Sequence, residues 1–165
     1  MSFWALFTIA TLLFLWYLSY TASRLDRLHH RVETSWASLD ALLQQRAAMA
    51  LEVAHLSGID PATSMILTQS AYLARESEPI ERSQAEEGLV AALDFLYASD
   101  EFPSNYPELS ERIQNINRRI ELAIEFHRES VHATKAQRAR WLVRIFKLAG
   151  RAPIPVTHPF EEITP

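Results

Sequence analysis

The sequence predicts an all-α chain, with an N-terminal transmembrane helix followed by an antiparallel up-down four-helix bundle. Three observations predict it. Only Gly58, Gly88 and Gly150 interrupt 165 residues rich in Ala, Leu, Glu, Arg and Gln, and alternating β-branched runs are nearly absent. The stretch from Ser2 to Ser23, SFWALFTIATLLFLWYLSYTAS, holds no charged residue. Beyond it, apolar residues recur at helical spacing between short turn signals.

The uncharged stretch is long enough, at ~1.5 Å per residue, to cross a hydrocarbon core of roughly 30 Å. Trp4, Trp16, Tyr17 and Tyr20 lie towards its ends, where aromatic rings favour the membrane interface. A cleaved signal would carry basic residues before the apolar run and small residues at its cleavage point, a pattern not found here. Arg24, Arg27 and Arg31 follow the run directly, and no basic residue precedes it. The excess of basic residues on one side predicts a single-pass cell-membrane protein, N-terminus outside and bundle in the cytoplasm. The domains expected are a span over 1–23, a bundle over 24–150 and a proline-rich tail over 151–165.

No Gly or Pro occurs before Gly58, so the span is expected to continue as a cytoplasmic helix. Its apolar face reads Leu25, Leu28, Val32, Trp36, Leu39, Leu43, Ala47, Ala50 and Ala54, a 3-4-4 spacing close to that of a straight helix. Gly58 is placed as its C-terminal cap. Asp60-Pro61 then reads as an N-cap with proline at the first helical position. A short helix to about Ser77 follows, with Met65, Ile66, Tyr72 and Leu73 as its apolar residues, closed by Pro79. Ser83-Gln84-Ala85-Glu86 fits a capping box, and opens a helix with Leu89, Leu93, Leu96 and Tyr97 facing in. DEFPSNYP, Asp100 to Pro107, reads as a loop. From Pro107 the pattern predicts one helix to Gly150 with the stripe Leu109, Ile113, Ile116, Ile120, Ile124, His127 and Val131.

Pairing position 57 with 107 makes facing positions of the first and last long helices sum to about 164. Arg138 to Gly150 then arrives at the bilayer surface beside Arg24. Arg24, Arg27, Arg31, Lys135, Arg138, Arg140, Arg144, Lys147 and Arg151 are expected to form a basic collar there, each contributing on the order of 1 kcal/mol near an anionic leaflet. Trp141, Leu142, Ile145, Phe146 and Leu148 would either dip into the interface or close the lower end of the core. The same register sets Trp36 near Phe126 and His127, with Asp40 in reach of His127 or a nearby base. The simplest expectation is packing among these four; a recognition groove is the alternative.

Charge is unevenly spread. Residues 1–59 balance, residues 60–129 carry six basic and fourteen acidic groups, and residues 130–165 carry six basic and two acidic groups. The acidic middle argues against nucleic acid as a partner. The absence of cysteine excludes disulfides and thiolate sites. Two Glu-x-x-His spacings, Glu52 to His55 and Glu129 to His132, suggest a di-iron bundle, but the register separates them by roughly 20–25 Å. Glu121, Glu125 and Glu129 among Arg118, Arg119 and Arg128 read as a solvated face. Phosphate-binding glycine loops and nucleophile elbows are missing. No enzymatic activity, cofactor or metal is expected.

Four blocks resemble the LemA family. SWASLDALLQQR, Ser35 to Arg46, resembles its tryptophan, aliphatic-Asp pair, Leu and Arg. YPEL, Tyr106 to Leu109, is similar to its Tyr-Pro-x-Leu before the last helix. IELAIEFHRESV, Ile120 to Val131, resembles the block I-x-x-A-R-x-F-Y-N-x-x-V. FKLAGRAPIP with the following FEE is similar to its C-terminal ending. Arg128 stands at the family's asparagine, and AAMALEVA replaces its Pro-Asn-Leu-Val, which marks a divergent member. The resemblance implies a bacterial protein with one N-terminal span and a cytoplasmic helical bundle, and it implies no substrate. The expected role is a scaffold or interaction module whose partners are an anionic lipid leaflet and an unidentified protein. The alternative is a self-assembling protein that senses or remodels membranes, and the 3-4-4 stripe leaves a homo-oligomer open.

Overall fold

Helix α1 runs from Ser2 to Ala54. Its 53 residues, free of glycine and proline, rise about 80 Å. The computed structural model describes residues 2–78, 81–98, 101–140, 143, 145 and 146; among them all regular structure is helical and no strand occurs. The expected stripe faces inward: Leu25, Leu39, Leu43, Ala47, Ala50 and Ala54 are buried, and Leu28, Val32 and Trp36 are half-buried.

The helix ends without the glycine cap. His55 N–H and Leu56 N–H donate to carbonyls three residues back, tightening the last turn. Gly58 lies beyond that turn, and its backbone is not in the left-handed region. A Cβ there would lie 2.6 Å from the Tyr106 hydroxyl, so close approach explains this glycine better than a cap does.

Helix α2, Pro61–Glu76, begins as expected. Asp60 is its N-cap and its carboxylate accepts from the Thr63 N–H at 3.0 Å. Its buried face is not formed by its large apolar residues. Leu67, Ala71 and Ala74 face inward, while Met65, Ile66, Tyr72 and Leu73 are exposed. The inward face consists mostly of small residues, which allow close packing and leave the bulky side chains outside.

Helix α3, Arg82–Tyr97, buries Leu89, Leu93 and Leu96, with Tyr97 half-buried. The capping box does not form: Glu81 is the N-cap and makes no side-chain cap bond, and Glu86 is committed elsewhere. Inside the expected loop a short helix, α4, Glu101–Asn105, buries Phe102. Phe102 stacks edge-on against Tyr97 and lies 5.9 Å from the Tyr106 ring, and these contacts order the segment. Helix α5 spans Pro107–Arg138. It does not continue unbroken to Gly150: Ala139 is a turn and Arg140 a bend, with Arg140 N–H donating to the Gln137 carbonyl. Lys135 and Arg138 in its last turn suit a C-terminus, where cations complement the helix dipole. Pro79, Asp100 and the tail over 151–165 lie outside the described residues.

The chain divides into two compact units, one of residues 1–35 and 127–156, the other built on residues 36–126. The second unit holds the hydrophobic core, with Leu39, Leu43, Val53, Leu67, Leu89 and Ile113 at its centre. Polar ties connect its elements. The Ser64 hydroxyl donates to the Ala54 carbonyl, the Tyr97 hydroxyl to the Ser110 carbonyl, and Arg112 forks onto Glu52 at 3.1 and 3.3 Å. Among the described residues of the first unit, Leu25, Val131 and Val143 are the buried apolar groups, alongside buried Thr21, Ser35, His127, Ser130, Thr134 and Gln137.

Candidate functional site

The inward stripe of α1 includes one arginine, Arg46, three residues after Leu43. A guanidinium on a buried stripe needs an acceptor, because an isolated buried charge is unfavourable by several kcal/mol. Glu86 supplies it from α3, with Arg46 donating to its carboxylate at 2.6 Å. Arg82, one turn before Glu86, lies 3.5 Å from the other carboxylate oxygen and donates to Asp40 at 2.5 Å. The result is a chain of alternating charge, Arg46–Glu86–Arg82–Asp40, in which the first three side chains are buried and Asp40 is partly open. Burial raises the Glu86 carboxyl above its ordinary value, against the lowering influence of Arg46 and Arg82. The cluster joins α1 to α3, and its chemistry is ionic packing, since arginine does not exchange its proton near neutral pH.

Asp40 was expected to reach His127 or a nearby base; its partner is the guanidinium of Arg82 on α3. Arg46 and Glu86 were absent from the expected sites. Their signal was legible: a charged residue on an apolar stripe, and an Arg-x-x-x-Glu pair whose glutamate falls three positions before Leu89 on the same face.

His127 is buried in the first unit, its Nδ1 2.9 Å from the Ser35 hydroxyl. That hydroxyl donates to the Val32 carbonyl at 2.8 Å, so it accepts from His127 Nδ1–H, which sets the tautomer. Thr134 donates to the Ser130 carbonyl, and lies 3.4 Å from the Leu28 carbonyl. A seam of small hydroxyl-bearing residues results. Trp36, in the second unit, is half-buried against that unit's own core, and Phe126 of the same unit is half exposed.

Desolvation lowers the His127 pKa, so the fold favours the neutral ring. The unfolded chain then takes up this proton first as pH falls. The group's contribution to stability is full above about 6.5 and is lost as pH falls through the lowered folded value. His127→Leu leaves Ser35 without its donor and is expected to lower stability by about 1–3 kcal/mol at pH 7.5. Urea unfolding of the detergent-solubilised chain should show that difference shrinking towards pH 5; a difference that grew on acidification would contradict the neutral buried ring.

The expected collar is described in part. Arg24, Arg27, Arg31 and Arg140 are exposed. Arg138 is half-buried and reaches His29 Nε2 at 3.2 Å. Phe146 meets Phe14 edge-on, ring centroids 5.4 Å apart. Phe14 precedes Arg24 by about 15 Å of helix, so Phe146 lies beside the apolar run rather than beside its basic end. Trp141, Arg144 and Lys147, with Leu142, Leu148 and Arg151, lie outside the described residues. The first Glu-x-x-His pair is otherwise engaged, Glu52 with Arg112 of α5 and His55 Nδ1 with the Leu51 carbonyl at 2.6 Å.

The fold and these contacts define a helical protein with, among the described residues, one candidate membrane-spanning helix, an N-terminal segment whose mean hydropathy reaches 1.6. No protein-family model, no curated protein and no solved structure matches this chain.

Proposed function

We propose that the chain is a membrane-anchored scaffold of LemA type, N-terminus outside and helical body in the cytoplasm, whose basic membrane-proximal residues contact anionic lipid. One observation carries the reading. The first twenty-two residues of α1, positions 2–23, carry no charge, expose Trp4, Phe7, Leu12, Leu13 and Trp16 to their surroundings, and pass directly into Arg24, Arg27 and Arg31. A surface so apolar over more than twenty residues is unfavourable in water and favourable in a bilayer.

The contacts of Glu52 with Arg112, Ser35 with His127 and Leu28 with Thr134 support an antiparallel course for α1 and α5, and with it a four-helix bundle of α1, α2, α3 and α5. The contact of Arg138 with His29 supports a shared basic surface with the exposed Arg24, Arg27 and Arg140. The four sequence blocks support the LemA assignment. The acidic stretch over 60–129 suits a protein partner better than a polyanion. The alternative, a self-assembling protein that senses or remodels membranes, is favoured by the uncovered apolar face of α2.

Orientation is tested with glycosylation acceptor sites placed at the C-terminus of the full chain. The expected result is no glycosylation of that reporter, with modification of one placed before Phe3. A glycosylated C-terminal reporter overturns the cytoplasmic placement.

A further inference from the structure

Helix α2 is oriented against its own composition. A surface helix ordinarily buries its large apolar residues, yet α2 exposes Met65 by 71%, Ile66 by 45%, Tyr72 by 48% and Leu73 by 58%. These four stand at −4, −3, +3 and +4 from Gln69, so they form one patch around it. Together they present several hundred Å² of largely apolar surface, roughly the scale at which a patch marks an interaction site. Charge is as unusual as size. Residues 60–129 carry eight more acids than bases, but the sixteen residues of α2 hold only Arg75 and Glu76. Beside the patch runs a groove of about 600 Å³ lined by Leu73, Ala85 and Gly88 with several polar side chains, the carboxylates Glu76 and Glu81 at one end of α2 and the start of α3 among them. A Cβ at Gly88 would meet nothing within 4 Å, so the groove is open there.

We propose that the α2 face is the contact with a second copy of this chain, two α2 helices packing about a two-fold axis near Gln69. The occupant must be uncharged and apolar along the roughly 12 Å of helix from Met65 to Leu73, and the face itself meets both conditions. Two copies of an acidic body repel one another across most of their surfaces, and a neutral face is where that repulsion is least. A two-fold contact needs a self-complementary patch, with side chains that protrude and a recess to take them. Tyr72 and Met65 provide the first, and the groove at Gly88 the second.

The area sets the regime. Two sixteen-residue helices bury less than the roughly 800 Å² per partner of a stable free dimer. Such a contact holds only where copies are concentrated, and an anchor that confines them to one plane raises their effective concentration. In this respect the inference rests on the membrane-anchor reading of α1.

The chain has no cysteine, so Gln69→Cys introduces a single thiol. The full-length variant in native membranes is oxidised with copper-phenanthroline, with Glu121→Cys on the exposed face of α5 as control. The expected result is a disulfide-linked homodimer forming at least tenfold faster at position 69 than at 121. Adding Met65→Glu and Leu73→Glu, both exposed and therefore compatible with an unchanged helical spectrum, is expected to reduce that dimer at least tenfold. Equal rates at the two positions, a dimer that survives both glutamates, or a Gln69→Cys adduct with another protein each overturns the proposal. Alkaline extraction of the same membranes separates the two readings. A pelleted chain without a dimer defeats the α2 contact alone. A dimer in an extracted chain keeps the contact and removes the anchor. An extracted chain without a dimer defeats both.

Discussion

Replacing Glu86 by alanine is expected to destabilise the helical body by about 3–5 kcal/mol, because it strands the buried Arg46 guanidinium. Arg46 loses its carboxylate at 2.6 Å and has no other side-chain acceptor among the described residues, while Arg82 keeps Asp40. Arg46→Met alone is expected to be comparably severe, since it leaves Glu86 with only the 3.5 Å contact of Arg82. The double variant Arg46→Met/Glu86→Leu removes both charges, retains the Arg82–Asp40 pair, and should return to within about 1 kcal/mol of the parent. Urea unfolding of the four proteins forms a double-mutant cycle. Strictly additive single effects would show that the two side chains do not act as a pair. Titration adds an independent check. The raised Glu86 carboxyl holds its proton more firmly in the fold than in the unfolded chain, where its value is near 4.5. Its contribution is therefore full below about 4.5 and is lost as pH rises through the raised folded value. Compared with Glu86→Gln, which cannot titrate, the parent should lose relative stability across that window as pH increases.

Arginine at both Ile9 and Leu13 is expected to release the chain from the membrane. Each stands in the uncharged run, and each is more than half exposed in the structure, so neither substitution removes a core contact. An arginine near the centre of a span disfavours insertion by about 2.5–3.5 kcal/mol, so the pair opposes it by at least a hundredfold even with partial snorkelling. Alkaline extraction should move the double variant from pellet to supernatant while its helical content beyond Arg24 is retained. A double variant that still pelleted would remove the membrane reading of α1. The same substitutions at exposed positions of α5, Glu121 and Leu122 for example, serve as the matched control.

Most helices were legible because their stripes are long. Leu109, Ile113, Ile116 and Ile120 repeat at spacings that only a helix places on one side, and all four are buried. Asp60-Pro61 was legible because its chemistry is local: one carboxylate and the N–H three residues on. What was not legible depended on partners distant in sequence. Glu86 sits at a position suited to a capping box, but a buried guanidinium outweighs an exposed cap worth about 1 kcal/mol. Asp40 lies 42 residues from Arg82, and no spacing rule links them. The facing of α2 was not legible for a related reason. Its large residues and its small ones form competing stripes, and which faces inward depends on how closely the neighbouring backbones approach. The end of α5 at Arg138 escaped because neither glycine nor proline marks it.

Alanine contributes much of the seam among these helices: Ala47, Ala50 and Ala54 on α1, Ala71 and Ala74 on α2, Ala92 on α3, all buried. Methyl groups give shallow relief, and a helix sliding one turn along such a surface, about 5.4 Å, meets much the same profile again. Leucines raise the barrier to that slide but also recur every three or four residues, so they do not label a unique notch. The ion cluster does. A one-turn slide of α1 brings Leu42 or Ala50 to the height of Glu86 and leaves a buried carboxylate facing a hydrocarbon chain or a methyl group. Arg46 and Asp40 thus act as a vernier against Arg82 and Glu86, turning a smooth, repetitive surface into one with a single setting. The charges that make this body no more stable than an apolar equivalent are the groups that tell one alignment from the next.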